Sequence, residues 1–234
     1  MKKYNQLLIL SALLFVVFKA GAADKLDAYE LIYEEQESGT EPYQVKFTVT
    51  DRYIRIDQMA DQSGYIVYDD DKHVIHSVVH QDESILVIPR YDYHRPDFRQ
   101  LVELEYSALP DAPKIADKTI FNYRVVSTAE PKKKCLDIKL AEDLLPEVSQ
   151  LFYDYQEMLA AQQSRLLAAT PEEFHTACYL YDQVFNKGDY YQKGLPIQEW
   201  HSNGKTRLLI SYKKVTVEPE FFNSVESYQK YSLD

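Results

Sequence analysis

The sequence predicts an α+β domain built mainly on antiparallel sheet. Two observations carry this. From residue 26 to about 90, apolar and polar residues alternate with the period of two that half-buried strands require. Near residue 146 the period changes to that of a helix, and after Gly188 strand patterning returns around Asn203-Gly204, the strongest two-residue hairpin signal. No repeat, linker or composition break divides the 234 residues. The expected organisation is a leader over 1–22 and a single domain over 23–234, with a helical insertion at about 142–188.

The leader reads first. Lys2 and Lys3 precede a nearly unbroken apolar run from Leu7 to Phe18, and small residues follow at Ala20, Gly21, Ala22 and Ala23. This is the layout of a secretory signal peptide. Cleavage after Ala22 fits, with Ala23 as the alternative, and an uncleaved anchor is the competing reading. The run is short for a membrane span of about 20 residues. No cysteine near the cut offers a lipidation site, so the expectation is a periplasmic protein without a transmembrane span.

Tyr43 to Thr50 is the clearest strand, with Tyr43, Val45, Phe47 and Val49 on one face and Gln44, Lys46, Thr48 and Thr50 on the other. Leu26 to Tyr33 places Tyr29, Leu31 and Tyr33 together, and Arg52 to Asp57 turns Ile54 and Ile56 inward. Segments 65–68, 74–79 and 85–88 are more continuously apolar. Glycines at Gly39 and Gly64 suit positive-φ turns, and Asp69-Asp70-Asp71-Lys72 suits a polar hairpin tip. Short links imply antiparallel neighbours, hence a meander of about six strands. Residues 90–100 lack periodicity and read as a loop or lid. Strands follow near 101–106, 119–128 and 134–140.

Val148, Leu151, Phe152, Tyr155, Leu159 and Leu166 form one helical stripe, with Pro146 in the first turn, predicting a helix over 146–168. Thr170-Pro171-Glu172-Glu173 resembles a capping box, and Phe174, Ala177, Cys178, Tyr181 and Phe185 would share a face of a second helix. A strand over 178–185 is the alternative. Strands over 195–201 and 206–217 close the pattern.

The 37 acidic residues outnumber 26 basic ones, for a net charge of −11, and the leader removes three lysines more. That excludes the positive footprint of a nucleic-acid binder. The one basic cluster, Lys132 to Lys134, suits a solvated turn better than a headgroup contact. Cys135 and Cys178, the only cysteines, read as a disulfide in an oxidising compartment. His76 and His80 share a strand face but stand about 13 Å apart, and His73 faces away, so one metal ion cannot join them. Asp69 to Asp71 lacks the spacing of a calcium loop. No nucleophile-elbow, zinc or phosphate-loop motif occurs. Neither an enzyme, a metal nor a cofactor is expected.

Tyr29, Tyr33, Tyr43 and Tyr65, with Val45, Phe47 and Ile54, are the candidate ligand groove. They fit a sheet core covered by the two helices or an apolar cavity, and the reading favoured is core with part of the face left open as a groove. Tyr91, Tyr93 and Phe98 are the candidate lid.

The order of elements, together with Gly194-Leu195-Pro196-Ile197, Asn203-Gly204, Pro219-Glu220-Phe221-Phe222 and Tyr228, resembles exported bacterial domains related to the lipoprotein-carrier superfamily. The resemblance spans most of the mature chain. It implies an unclosed, strongly curved antiparallel half-barrel with a helical hairpin on its concave face. It also implies a hydrophobic, lipid-like ligand or a lipidated partner in the envelope. The chain departs from the carriers in its late helical hairpin and in a cysteine pair that brackets the first long helix. The competing expectation is an interaction module that docks another envelope protein on the same sheet.

Overall fold

The computed structural model describes residues 24–92, 100–129 and 131–232. The leader lies outside them. One unclosed sheet of twelve strands dominates. Strands β1 (Leu26–Gln36), β2 (Tyr43–Val49), β3 (Tyr53–Gln58), β4 (Gly64–Asp69), β5 (Val74–Val79) and β6 (Ser84–Pro89) form the expected meander. β7 (Val102–Ala108), β8 (Ile120–Ser127), β9 (Lys134–Ala141), β10 (Leu195–His201) and β11 (Thr206–Val217) form a second one. The two join where β11 pairs antiparallel with β1, from Leu26 opposite Val217 to Gln36 opposite Thr206. A last short strand, β12 (Gln229–Ser232), runs parallel to β6 and covers that edge.

The helical segments lie mostly between β9 and β10. Helix α1 (Pro146–Leu166) begins with Pro146, whose missing N–H costs nothing in the first turn. It ends two residues short of the expected 168, in a 3-10 turn at Leu167–Ala169. The Thr170 capping box opens only another 3-10 turn, Glu172–Phe174, and Phe174 is exposed. The working cap is Thr176, whose hydroxyl accepts a hydrogen bond from the Tyr179 N–H. From there α2 (Ala177–Leu180) continues as a π-helical turn through Tyr181–Phe185. The segment 178–185 is therefore helical, with Cys178, Tyr181, Val184 and Phe185 buried.

The inner face of the sheet carries Leu31, Tyr33, Val45, Phe47, Ile54 and Tyr68, and α1 packs over it. Phe47 meets Phe152 edge-to-face at 5.3 Å between ring centres, and Tyr68 meets Tyr155 at 5.7 Å. The other face has its own smaller cluster of Tyr65, Val67, Val78 and Ile85, closed by Phe222 from the C-terminal segment. Arg55 lies between the rings of Tyr65 and Phe221, at 3.7 and 4.3 Å.

Two glycines have different duties. Gly204 takes φ +89° in the β10–β11 hairpin, as that turn requires. Gly64, expected at a positive-φ turn, is instead the first residue of β4. A Cβ there would sit 1.9 Å from the Val78 carbonyl oxygen, so close backbone approach is what demands glycine.

Candidate functional site

A cavity of about 500 Å³ opens between the inner face of the sheet and α1. Tyr43, Val45, Phe47, Ile56 and Ile66 line its sheet side, and Phe152, Tyr155 and Leu159 its helix side. Alternation sets the sheet contribution. Phe47 pairs with Ile56, and Ile56 with Ile66, so all three project toward α1.

Three of the seven groove residues read from sequence, Tyr43, Val45 and Phe47, line this cavity with inward side chains. Tyr33 and Ile54 are packed core on the same face, and the Tyr33 hydroxyl donates to the Pro196 carbonyl at 3.0 Å. Tyr29 packs against the same core near the start of β1, beyond the cavity lining. Tyr65 is a correction. It touches the cavity margin from β4, yet its ring belongs to the opposite face, where its hydroxyl donates to the Asn223 carbonyl at 3.0 Å. The reason is phase: Tyr68 pairs with inward Ile54, so Tyr65, three residues earlier, points the other way.

Of the lid residues, Tyr93 and Phe98 lie outside the described residues. Tyr91 stands under the Arg165 guanidinium at 3.9 Å and lines a smaller hollow with Asp154 and Glu157. That position is beside the C-terminal half of α1, away from the apolar cavity.

Sequence reasoning missed a buried ionic network in the cavity wall. Arg207 on β11 donates to Glu35 of β1 at 2.8 Å and to Glu199 of β10 at 3.4 Å. His201 contacts Asp182 at 2.7 Å through Nδ1 and Glu199 at 3.4 Å through Nε2. Lys205 lies 3.7 Å from Glu35. The signal was present: Glu35 falls in phase with Tyr33, and Glu199 and Arg207 stand directly opposite each other. Beyond this wall lies a second cavity of about 550 Å³, lined by Gln163, Asp182, Gln183, Asn186, Tyr190 and Asn203 among others.

Burial alone would raise the Glu199 carboxyl, but Arg207 and His201 hold it down at about 2. Burial alone would lower His201, but hydrogen bonds and charge from Asp182 and Glu199 push it up to about 9. His201 is thus charged at neutral pH, with Arg207 and Lys205 the nearby cations. Its folded value lies above the ordinary 6.5, so its contribution is complete below 6.5 and lost as pH rises through 9. The denaturation midpoint should fall across that window by an amount equivalent to roughly 3 kcal/mol. His201→Gln should flatten the fall. An equally steep fall in the variant would assign it to other groups.

Cys135 of β9 and Cys178 of α2 are disulfide-bonded, with Cα atoms 4.7 Å apart. The bridge ties the sheet to α2. His73, His76 and His80 do not converge, and no group of three or more His, Cys, Asp or Glu able to hold a metal occurs among the described residues.

No protein-family model and no curated protein matches this chain. Among solved structures it is similar to an uncharacterized conserved protein from Thermus thermophilus, at 7% identity and a TM-score of 0.43, over 88% of this chain and 90% of that one. It is also similar to PNGF-II in its C2 crystal form, at 10% identity and a TM-score of 0.41, over 89% of this chain. The P21 form of PNGF-II gives 9% identity and a TM-score of 0.40. The chain spans about a third of PNGF-II's length, 31% and 32% in the two forms. No helix among the described residues is long and apolar enough to cross a membrane.

Proposed function

We propose that this is a non-catalytic periplasmic protein that binds a hydrophobic, lipid-like ligand or the lipid of a lipidated partner in the bacterial envelope. In this reading the sheet curves as an unclosed half-barrel, and α1 with α2 forms a helical hairpin on its concave side. One observation carries the reading: the cavity between sheet and α1, about 500 Å³ and walled by Tyr43, Ile56, Ile66 and Phe152. The aromatic and aliphatic part of that lining suits an apolar ligand, with Gln58, Gln156, Lys205 and Arg207 among the polar groups that also line it.

The test needs a residue that lines the cavity without carrying the core. Phe47 is unsuitable, because its ring packs on both Tyr33 and Phe152. Ile66 is half-buried and faces the open space. The wild type should bind a fluorescent fatty-acid probe, and lipid should co-purify and be seen by mass spectrometry after solvent extraction. Ile66→Trp, which fills the cavity, should weaken probe binding at least tenfold with an unchanged melting temperature. A wild type that binds no probe and carries no lipid would leave the sheet as an interaction surface for another envelope protein.

A further inference from the structure

The apolar cavity and the polar cavity are neighbours that share part of their lining. Gln156, Leu159, Lys205 and Arg207 border both. One side of this boundary offers aromatic and aliphatic carbon. The other is lined by the carboxamides of Gln163, Gln183, Asn186 and Asn203. Gln183 already donates to Asp182, and Asn186 and Asn203 already accept from the Gly188 and Lys205 N–H groups, so Gln163 has most left to offer. A ligand occupying both must be an amphiphile, with its chain on the sheet side and its head beside the β10–β11 hairpin.

The charges of this wall narrow the head. Arg207 is held between Glu35 and Glu199, and His201 between Glu199 and Asp182. Lys205 has Glu35 within 3.7 Å. Three cations face three carboxylates, and an exposed Glu37 stands on the rim as a fourth. Among the described residues of this wall, no unmatched cation remains to receive a carboxylate or phosphate. An anionic head would have to displace Glu35 or Glu199 from Arg207, leaving that buried carboxylate with only its longer contact to Lys205 at 3.7 Å or His201 at 3.4 Å, which is unfavourable. Glu37 stands exposed on the rim, where water screens it, so it adds little for a cationic head, and what remains available is hydrogen bonding. Gln163 makes no side-chain hydrogen bond to the described residues. Carboxamides both donate and accept, so they suit hydroxyl groups, which do the same.

We infer that the ligand is a single-chain amphiphile whose head is uncharged and rich in hydroxyl groups, seated in the pocket between α1, the π-helical turn after α2 and the β10–β11 hairpin. This rests on the binding function proposed above and adds the class of head.

Displacement of the fluorescent fatty-acid probe from the intact protein tests it, with ligands of equal chain length used below their micelle thresholds. Monododecanoyl glycerol should displace the probe at a concentration at least tenfold lower than dodecanoate or dodecyltrimethylammonium does. Gln163→Leu should reduce that preference at least threefold while leaving the melting temperature unchanged. Equal or tighter binding of either charged ligand overturns the inference and leaves the apolar cavity as the whole site. A preference that survives Gln163→Leu together with Gln183→Leu overturns the placement of the head. Failure of every ligand, with Ile66→Trp indistinguishable from wild type, overturns the binding function itself and the inference with it.

Discussion

Replacing Arg207 with methionine should lower stability by about 3–5 kcal/mol. Methionine retains much of the side chain's length and keeps the packing near Tyr33 and Phe47, whose rings lie 5.4 and 5.5 Å from the guanidinium. What it removes is the charge. Glu35 and Glu199 are almost wholly buried, and each loses a counter-ion. Exposed ion pairs contribute about 1 kcal/mol or less, so burial decides the size of this effect. At this chain length the loss corresponds to a melting temperature lower by about 10 °C. Two further readings separate a charge effect from lost packing. The deficit should shrink on acidification, because the buried Glu199 carboxyl, once Arg207 no longer holds it down, protonates more readily. Adding Glu35→Gln and Glu199→Gln to Arg207→Met should restore more than half of the loss, since the uncompensated charges are then gone. A loss under about 1 kcal/mol at neutral pH would show that solvent already screens the network.

Most strands of this fold were legible because they are bounded by turn residues and the clearest of them alternate. β2 shows why: Tyr43, Val45 and Phe47 face one way and Gln44 and Lys46 the other, and the structure keeps that division. The pairing of β1 with β11 was not legible. Both strands alternate, but nothing local says that Leu26 lies opposite Val217, because register over such a separation is chosen by the whole sheet. β12 escaped notice for a different reason. Gln229 to Ser232 has no apolar alternation, and its pairing with β6 is made by the backbone. Tyr65 was assigned to the wrong face because 65–68 is apolar on both sides, which leaves its phase undefined until Tyr68 is seen opposite Ile54. The helical region shows the limit of cap motifs. Thr170 has the right neighbours, but the chain makes only single turns until Thr176. The site divides the same way. Tyr43, Val45 and Phe47 could be read from one strand, whereas Glu35, Asp182, Glu199, His201 and Arg207 meet only after four separate elements are assembled.

Removing the disulfide should cost about 2–4 kcal/mol and should act selectively on the polar side of the site. Cys135 and Cys178 are 43 positions apart, so the bridge closes a long loop and withdraws many conformations from the unfolded chain. That loop contains all of α1. The bridge also fixes α2 against β9, and the π-helical turn that follows α2 carries Tyr181 and Asp182. Tyr181 meets the Tyr123 hydroxyl of β8 at 3.2 Å, and Asp182 holds His201 at 2.7 Å. Cys135→Ala/Cys178→Ala should therefore melt several degrees lower, and reductant should bring the wild type down to the same temperature without affecting the variant. The variant should also lose part of the alkaline fall in stability, because Asp182 no longer holds His201 as firmly in its charged form. Probe binding in the apolar cavity should change little, since sheet residues and α1 line most of it. If reductant leaves the wild-type melting temperature unchanged, the packing of Tyr181, Val184 and Phe185 is what holds α2 in place, and the bridge adds nothing to it.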